Sequence, residues 1–254
     1  MSILERIQTT VPKAPRITLY GKPGVGKSTF ASTFPGTLFL LTEDPAVNGI
    51  QALPVAQTLA EVWANVKELL ALEELPFNTL VVDSVSKLDE LVVKKIQDEE
   101  PKKGVPFGAC CGGFGKAYER AEGIHKAFKK LMDRFTERGV TVIYICHLTV
   151  TKVKQPDADD YDVYSIVMNH ERSRHPYIDD VDCVLFGRLK SYTQTLDTGR
   201  TIVNSTKNRI LVTGVNDSNV SKNRFSMPDE IPMTYDDFSK YIPFYNSTKD
   251  KDNK

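Results

Sequence analysis

The stretch RITLYGKPGVGKST, Arg16 to Thr29, decides how the rest of the chain is read. Residues 16–20 make a short apolar strand, and the residues that follow, Gly21-Lys22-Pro23-Gly24-Val25-Gly26-Lys27-Ser28, fit the pattern G-x-x-x-x-G-K-S without a mismatch. The motif lies after a strand and before a helix that starts near Lys27, which is the context its chemistry requires. Glycines let backbone N–H groups curl around phosphate oxygens, and the new helix turns its positive end toward the same anion. Lys27 is then placed to reach the β- and γ-phosphates, and the Ser28 hydroxyl to ligate Mg²⁺. Residues Gly21 to Thr29 are therefore the expected nucleotide-binding set, with ATP and Mg²⁺ as the expected cofactors. The alternative, a chance glycine-rich turn, is disfavoured because motif and context agree.

Outward from this loop, strands and helices alternate. TLFLLT (37–42) is a second strand, bounded by Pro35-Gly36 and Asp44-Pro45. Leu59, Val62, Trp63, Val66, Leu69 and Leu70 fall at helical spacing and predict an amphipathic helix over 59–72. NTLVVD (78–83) reads as a strand buried on both faces, because its apolar run does not alternate. A helix over 86–99 and a long one marked by Tyr118, Ala121, Ile124, Phe128, Leu131 and Phe135 follow, the second closed by Gly139. VTVIYIC (140–146) and DVDCVLFGR (180–188) are two further strands. Between them, 100–115 reads as a loop rich in glycine and proline, and 149–176 as a long polar stretch holding PDADDYD. From residue 190 the pattern predicts short strands and turns, with a hairpin at Asp197-Thr198-Gly199 and a turn around Val215-Asn216-Asp217. Such a chain predicts a mostly parallel sheet covered by helices and finished by an antiparallel edge.

Composition narrows the class. Lys plus Arg number 33 and Asp plus Glu number 33 in 254 residues, so bulk charge cannot coat nucleic acid and any DNA contact must be a local patch. An apolar content of 41% with 26% charged residues is an ordinary globular mixture. No apolar run is long enough to span a membrane, and the start MSILERIQTT lacks the apolar core of a secretory leader. Cys110, Cys111, Cys146 and Cys183 form no CxxC pair, so reduced thiols are expected rather than a zinc site with His125 or His147. A cytoplasmic location, in a host cell if the chain is phage-encoded, is the expectation.

Chemistry beyond binding needs acids near the phosphates. Asp83 ends a buried strand, as an aspartate holding the Mg²⁺ shell would. The residue after it is Ser84 rather than a glutamate, so a general base must come from elsewhere. Glu43 closes strand 37–42, expected beside the Asp83 strand, and is preferred over its neighbour Asp44. His147 follows the fourth strand, where a polar side chain can sense the γ-phosphate and pass the signal to the following loop. His125 lies on the apolar side of its helix and is expected to pack.

Four segments taken together resemble the RecA-like recombinase ATPases, notably the small phage-encoded RecA-like proteins linked to single-strand annealing. They are GKPGVGKST, FLLTEDP, TLVVDSVSKL and VSKNRF (220–225), and they span about residues 16 to 230. The resemblance implies a RecA-like P-loop domain over 16–243; an N-terminal segment 1–15 in contact with a subunit is expected before it, and the polar end, 244–254, is expected to be a flexible tail. It puts Glu43 at the catalytic glutamate, and Lys222 and Arg224 at the cations by which one subunit reaches its neighbour's ATP. Lys207-Asn208-Arg209 repeats the tripeptide and is a rival for that role. Cys146-His147 stands where RecA has Asn-Gln, and the chain lacks a clear C-terminal domain, so annealing support is implied rather than full strand exchange.

In such a fold two loops face DNA, here 100–116 and 149–176. The first offers Lys102, Lys103 and Lys116 with Phe107 and Phe114, a mixture suited to single strands because phosphates take the charge and bases stack. The second offers Lys152, Lys154, Arg172, Arg174 and His175 around an acidic middle. The leading expectation is a DNA-stimulated, Mg²⁺-dependent ATPase that binds single-stranded DNA as a ring or filament, with a single-strand-binding protein as a suggested partner. The alternatives are a P-loop ATPase acting on a protein, such as a helicase loader or assembly switch, and a non-catalytic nucleotide-binding scaffold. A small-molecule kinase is disfavoured by the lack of an Arg-rich lid.

Overall fold

The computed structural model describes residue 6 and residues 10–154, 159–195 and 201–252. The elements in chain order are β1 (Arg16–Gly21), α1 (Lys27–Ser32), β2 (Thr37–Leu41), β3 (Gln51–Ala52), α2 (Leu59–Ala71), β4 (Thr79–Asp83), α3 (Val85–Asp98), α4 (Lys116–Glu137), β5 (Thr141–Val153), β6 (Tyr161–Ile166), α5 (Glu171–Ile178), β7 (Cys183–Thr195), β8 (Thr201–Val212), β9 (Lys222–Asn223), β10 (Glu230–Pro232), α6 (Tyr235–Ser239) and α7 (Pro243–Asp252). Along the sheet the order is β10-β8-β7-β1-β5-β4-β2-β3. The pairs from β7 through β1, β5, β4 and β2 to β3 are parallel. The pairs β7 with β8 and β8 with β10 are antiparallel. This is the expected class: an α/β fold in which the phosphate-loop motif follows a central strand, with a mostly parallel sheet flanked by helices and an antiparallel C-terminal extension.

The central strands carry apolar residues without alternation because both faces are covered. Leu80 and Val82 of β4 pack with Val62 and Val66 of α2, Val92 of α3 and Phe128 of α4. Val81, between them in sequence, packs on the other face with Phe30 of α1, Phe34 and Phe238. Thr58 starts α2 by accepting a hydrogen bond from the Glu61 amide, and Ser84 starts α3 by accepting from the Lys87 amide. Ser84 thus serves as a helix cap directly after the Asp83 strand tip.

Two arms rise past the sheet edge that carries the phosphate loop. Through His147, β5 lies in the sheet beside β1; beyond it, Leu148–Val153 pairs only with β6. Likewise β7 and β8 continue as a long antiparallel pair from Leu189–Arg209 to Thr195–Thr201. The expectation of a polar stretch over 149–176 is therefore corrected to half a strand, β6 and α5. Its alternation of polar and apolar residues hid a ribbon that has no second layer to make it uniformly apolar. The expected hairpin at 197–199 lies outside the described residues, as do residues 1–5, 7–9, and the start of the acidic run at 155–158.

The segment 100–115 also has more structure than a loop. It contains a 3-10 turn at Phe107–Gly112, whose Cys110 is buried. The Cys111 amide donates to Glu100 Oε1 at 2.6 Å. Asp89 meets His125 while Glu99, just past the end of α3, meets Arg120, earlier in α4. The two helices therefore run antiparallel, and the segment joining them lies at the end away from the sheet. An α4 of 22 residues is roughly 33 Å long, well beyond the strands it packs on. His125 packs as expected: Nδ1 is 3.0 Å from Tyr177 Oη and Nε2 is 2.9 Å from Asp89 Oδ1.

The chain end differs from the expected polar tail. Residues 243–252 are helical, and Tyr245 is buried against Phe34, with its hydroxyl 2.8 Å from Thr141 Oγ1. The polar run after it masked this anchor. Tyr245→Ala should lower unfolding stability by about 3 kcal/mol, the range for truncating a buried aromatic. A denaturant midpoint unchanged from the parent would return the segment to a dispensable tail.

Candidate functional site

The strand register assembles the site. Gly21 of β1 lies abreast of His147 of β5, and Leu41 of β2 lies abreast of Asp83 of β4. Pairing continues one residue further: the Thr42 amide donates to the Asp83 carbonyl at 2.9 Å and Thr42 Oγ1 donates to the Ser84 carbonyl at 2.7 Å. Glu43 therefore emerges beside Ser84, on the same edge as Asp83. The expectation that strands 37–42 and 78–83 are neighbours holds residue for residue.

Within the phosphate loop, glycine is required for two different reasons. A side chain at Gly21 would put its Cβ 2.3 Å from the Gly187 carbonyl oxygen of β7, so the first glycine permits two strands to close up. Gly26, at φ 96°, is in the left-handed region that precedes the turn into α1. Val25 is buried and anchors the loop, while Lys22, Pro23 and Gly24 face solvent. Lys27 Nζ donates to the loop's own carbonyls, at 3.0 Å to Gly21 and 3.4 Å to Lys22. Its pKa is lowered, chiefly by burial, against the opposing charges of Asp83 and Glu43.

Ser28 Oγ donates to Asp83 Oδ2 at 2.7 Å. Burial raises the Asp83 pKa, helped by the nearby Glu43 and opposed by Ser28, Lys27 and His147. These two hard oxygen groups at the mouth of the loop fit Mg²⁺, which takes few protein ligands and keeps phosphate oxygens and waters for the rest. Among the described residues no cluster of three or more His, Cys, Asp or Glu could hold a metal by itself.

Glu43 Oε1 is 2.9 Å from His147 Nε2, which in turn is 3.4 Å from Ser84 Oγ. Burial works to raise the Glu43 pKa, but hydrogen bonds from His147 and Ser84, with the charge of Lys87, outweigh it and lower the pKa. A carboxylate held in its charged form between two donors can accept a proton or orient a water. Asp44, next in sequence, is exposed. His147 is tied to the arm as well: its amide donates to Ser86 Oγ at 3.0 Å and its carbonyl accepts from the Val167 amide at 2.9 Å.

The other expected site residues lie elsewhere. Asn223 pairs with Cys183, which is level with Ile17, so Lys222 and Arg224 sit toward the strand end away from the phosphate loop. Lys222 Nζ donates to the Ile178 carbonyl at 3.3 Å and to that of Asp179. Arg224 Nη1 is 3.3 Å from Asp182 Oδ1. Arg209, in the rival tripeptide, lies against the phosphate loop of its own chain: its guanidinium is 3.2 Å from where a Cβ of Gly26 would be.

Of the residues expected to face DNA, Lys102, Lys103, Lys116, Lys152 and Lys154 are exposed. Phe114 is 99% exposed, at φ 53° in a glycine-rich turn. Phe107 instead is half-buried, edge-on to Tyr118 at 5.2 Å. Arg172 is 3.4 Å from Glu119, and Arg174 is half-buried with its pKa lowered by desolvation. Residues 22–25 also form one wall of a cleft with β7 and β8 that sequence reading missed. Its walls are some 160 residues apart in the chain, and the duplicated tripeptide was the only sign of it.

A family model described as AAA domain matches residues 13–225. Among solved structures, the flagellar accessory protein FlaH from Methanocaldococcus jannaschii aligns over 89% of this chain and 88% of that one, with 11% identity and a TM-score of 0.41. No curated protein matches the chain. No helix among the described residues is long and apolar enough to cross a membrane.

Proposed function

The chain belongs to the AAA domain family, whose members are P-loop ATPases, and from that premise we propose that it is a Mg²⁺-dependent ATPase that binds single-stranded DNA as an oligomer and promotes annealing or recombination. In this reading Lys27 leaves its loop carbonyls for the β- and γ-phosphates. Ser28 and Asp83 hold the magnesium ion, which offsets charge on the phosphates when bound. Glu43 orients the attacking water and takes its proton, and His147 fixes the Glu43 carboxylate. Because His147 is also hydrogen-bonded to Ser86 and Val167, a shift at the γ-phosphate has a short path to the β5–β6 arm.

The observation that carries the DNA reading is Phe114. A phenyl ring 99% exposed makes no contribution to a core. It lies on the segment that also carries exposed Lys102, Lys103 and Lys116. A free ring among cations is what a stacking platform for single strands needs. Lys152 on the β5–β6 arm and Lys154 just after β5 are exposed cations as well. Phe107 is withdrawn from that role because it supports Tyr118, and Arg172 and Arg174 are held by their own surroundings.

Phe114→Ala should weaken single-stranded DNA binding by about 5- to 150-fold, since stacking contributes ~1–3 kcal/mol per base. Basal ATPase without DNA should stay within twofold. Affinity unchanged in a fluorescence anisotropy titration would remove Phe114 from the interface. Turnover that does not rise with single-stranded DNA would favour the reading in which the ATPase acts on a protein. Lys222 and Arg224 remain the proposed trans-acting cations, and that role requires them to exchange Asp182 and the α5 carbonyls for a neighbour's phosphates.

A further inference from the structure

We propose that the cleft between the phosphate loop and the β7–β8 arm receives the nucleoside end of the bound nucleotide, and that Arg209 grips the adjoining phosphate within the same subunit. This rests on the reading of the loop as a Mg²⁺·ATP site and adds which end of the nucleotide goes where, and which residues select it.

Direction follows from the sheet order. Glu43, Asp83 and His147 come from β2, β4 and β5, all on one side of β1; β7 and β8 are on the other. A triphosphate whose magnesium-bound end lies among those acids must leave the loop on the β7 side. On that side is a cleft of about 760 Å³, within the usual range for small-molecule sites. Lys22, Tyr164, Phe186, Arg188 and Lys207 line it together with Arg209.

The lining matches a nucleoside phosphate. Tyr164 and Phe186 stack at 5.3 Å with an interplanar angle of 28°, and Phe186 stacks in turn on Tyr20 at 5.1 Å. This fixes the Tyr164 ring while leaving the residue 36% exposed, a surface on which a base can stack. The cations are not equivalent. Arg188 is taken by Glu230 at 2.6 Å. Among the described residues, the Arg209 guanidinium has no acidic or hydrogen-bonding partner, although it lies against Gly26. An unpaired guanidinium over a phosphate loop presents planar donors suited to a phosphate. The two KNR tripeptides therefore divide the labour: 207–209 serves its own loop, and 222–224 is available to no site of its own chain.

Calorimetric titration with Mg²⁺·ATP and with Mg²⁺·tripolyphosphate, which has no nucleoside, tests this. Arg209→Ala should weaken ATP tenfold or more. Ser191→Trp, which fills the cleft from the β7 wall, should weaken ATP tenfold or more while leaving tripolyphosphate within twofold, and it stands alone should Arg209→Ala fail to fold. ATP affinity unchanged in both variants, with Lys27→Ala still losing it, would overturn the cleft assignment alone. Retained affinity in Lys27→Ala would overturn the phosphate-loop reading beneath it. Recovery of turnover on mixing Arg209→Ala with Lys27→Ala would place Arg209 in a neighbour's site and refute the same-subunit grip.

Discussion

Lys27→Ala should weaken ATP binding about 100-fold or more. The ammonium would make two charge-assisted hydrogen bonds to phosphate, each contributing ~1.5–3 kcal/mol, and about 1.4 kcal/mol is a factor of ten. Burial already disfavours its charged form, so a phosphate supplies what the loop carbonyls of Gly21 and Lys22 do only in part. The fold should survive the change, because the loop is also held by buried Val25 and by the close approach of Gly21 to Gly187. Calorimetry with Mg²⁺·ATP, alongside a thermal unfolding curve, checks both halves. ATP affinity within threefold of the parent would mean that this loop is not the phosphate site.

Glu43→Gln should reduce kcat by about 10²- to 10⁴-fold, the usual contribution of a general base. ATP affinity should change by less than about fivefold, because the amide keeps the shape of the carboxylate and one oxygen near His147. The lowered pKa of Glu43 gives the sign of the pH dependence. In the proposed role the carboxylate is the active form, so turnover requiring it is present above that pKa and falls as pH drops through it. A single-turnover assay with radiolabelled ATP separates the chemical step from release. Hydrolysis at the parent rate would exclude Glu43 as the base and return the question to Ser84 and its surroundings.

The parts of the fold that were legible in the sequence are those decided locally. The run TLVVD reads as a strand covered on both faces because its apolar residues do not alternate, and the motif 21–28 reads as a loop because it is flanked by a strand and a helix start. Their combination also put Glu43 and Asp83 on one edge, since parallel strands joined by helices bring their C-terminal ends together. The arms were not legible because a two-stranded ribbon outside the sheet has no uniform apolar pattern, and Tyr164 or Val150 reads like any loop residue. The role of Tyr245 was hidden by the charged residues that follow it. Phe107 and Phe114 looked equivalent in sequence, seven positions apart in one glycine-rich segment. Only the packing of Tyr118 tells them apart. The two KNR tripeptides are identical in letters too, and their difference is one of register: one lies within β8 just past the level of the phosphate loop, the other pairs with the first residues of β7.

That a nucleotide binds with its magnesium between the phosphate loop and two acidic strand tips is tested most directly by a crystal or cryo-EM structure with Mg²⁺ and a non-hydrolysable ATP analogue. The expected map has Lys27 Nζ moved from the Gly21 carbonyl to phosphate, Ser28 and Asp83 on the metal, and Glu43 facing the γ-phosphate. A nucleotide bound away from residues 21–29, or seated there with Asp83 and Glu43 both turned away from its phosphates, would contradict the account.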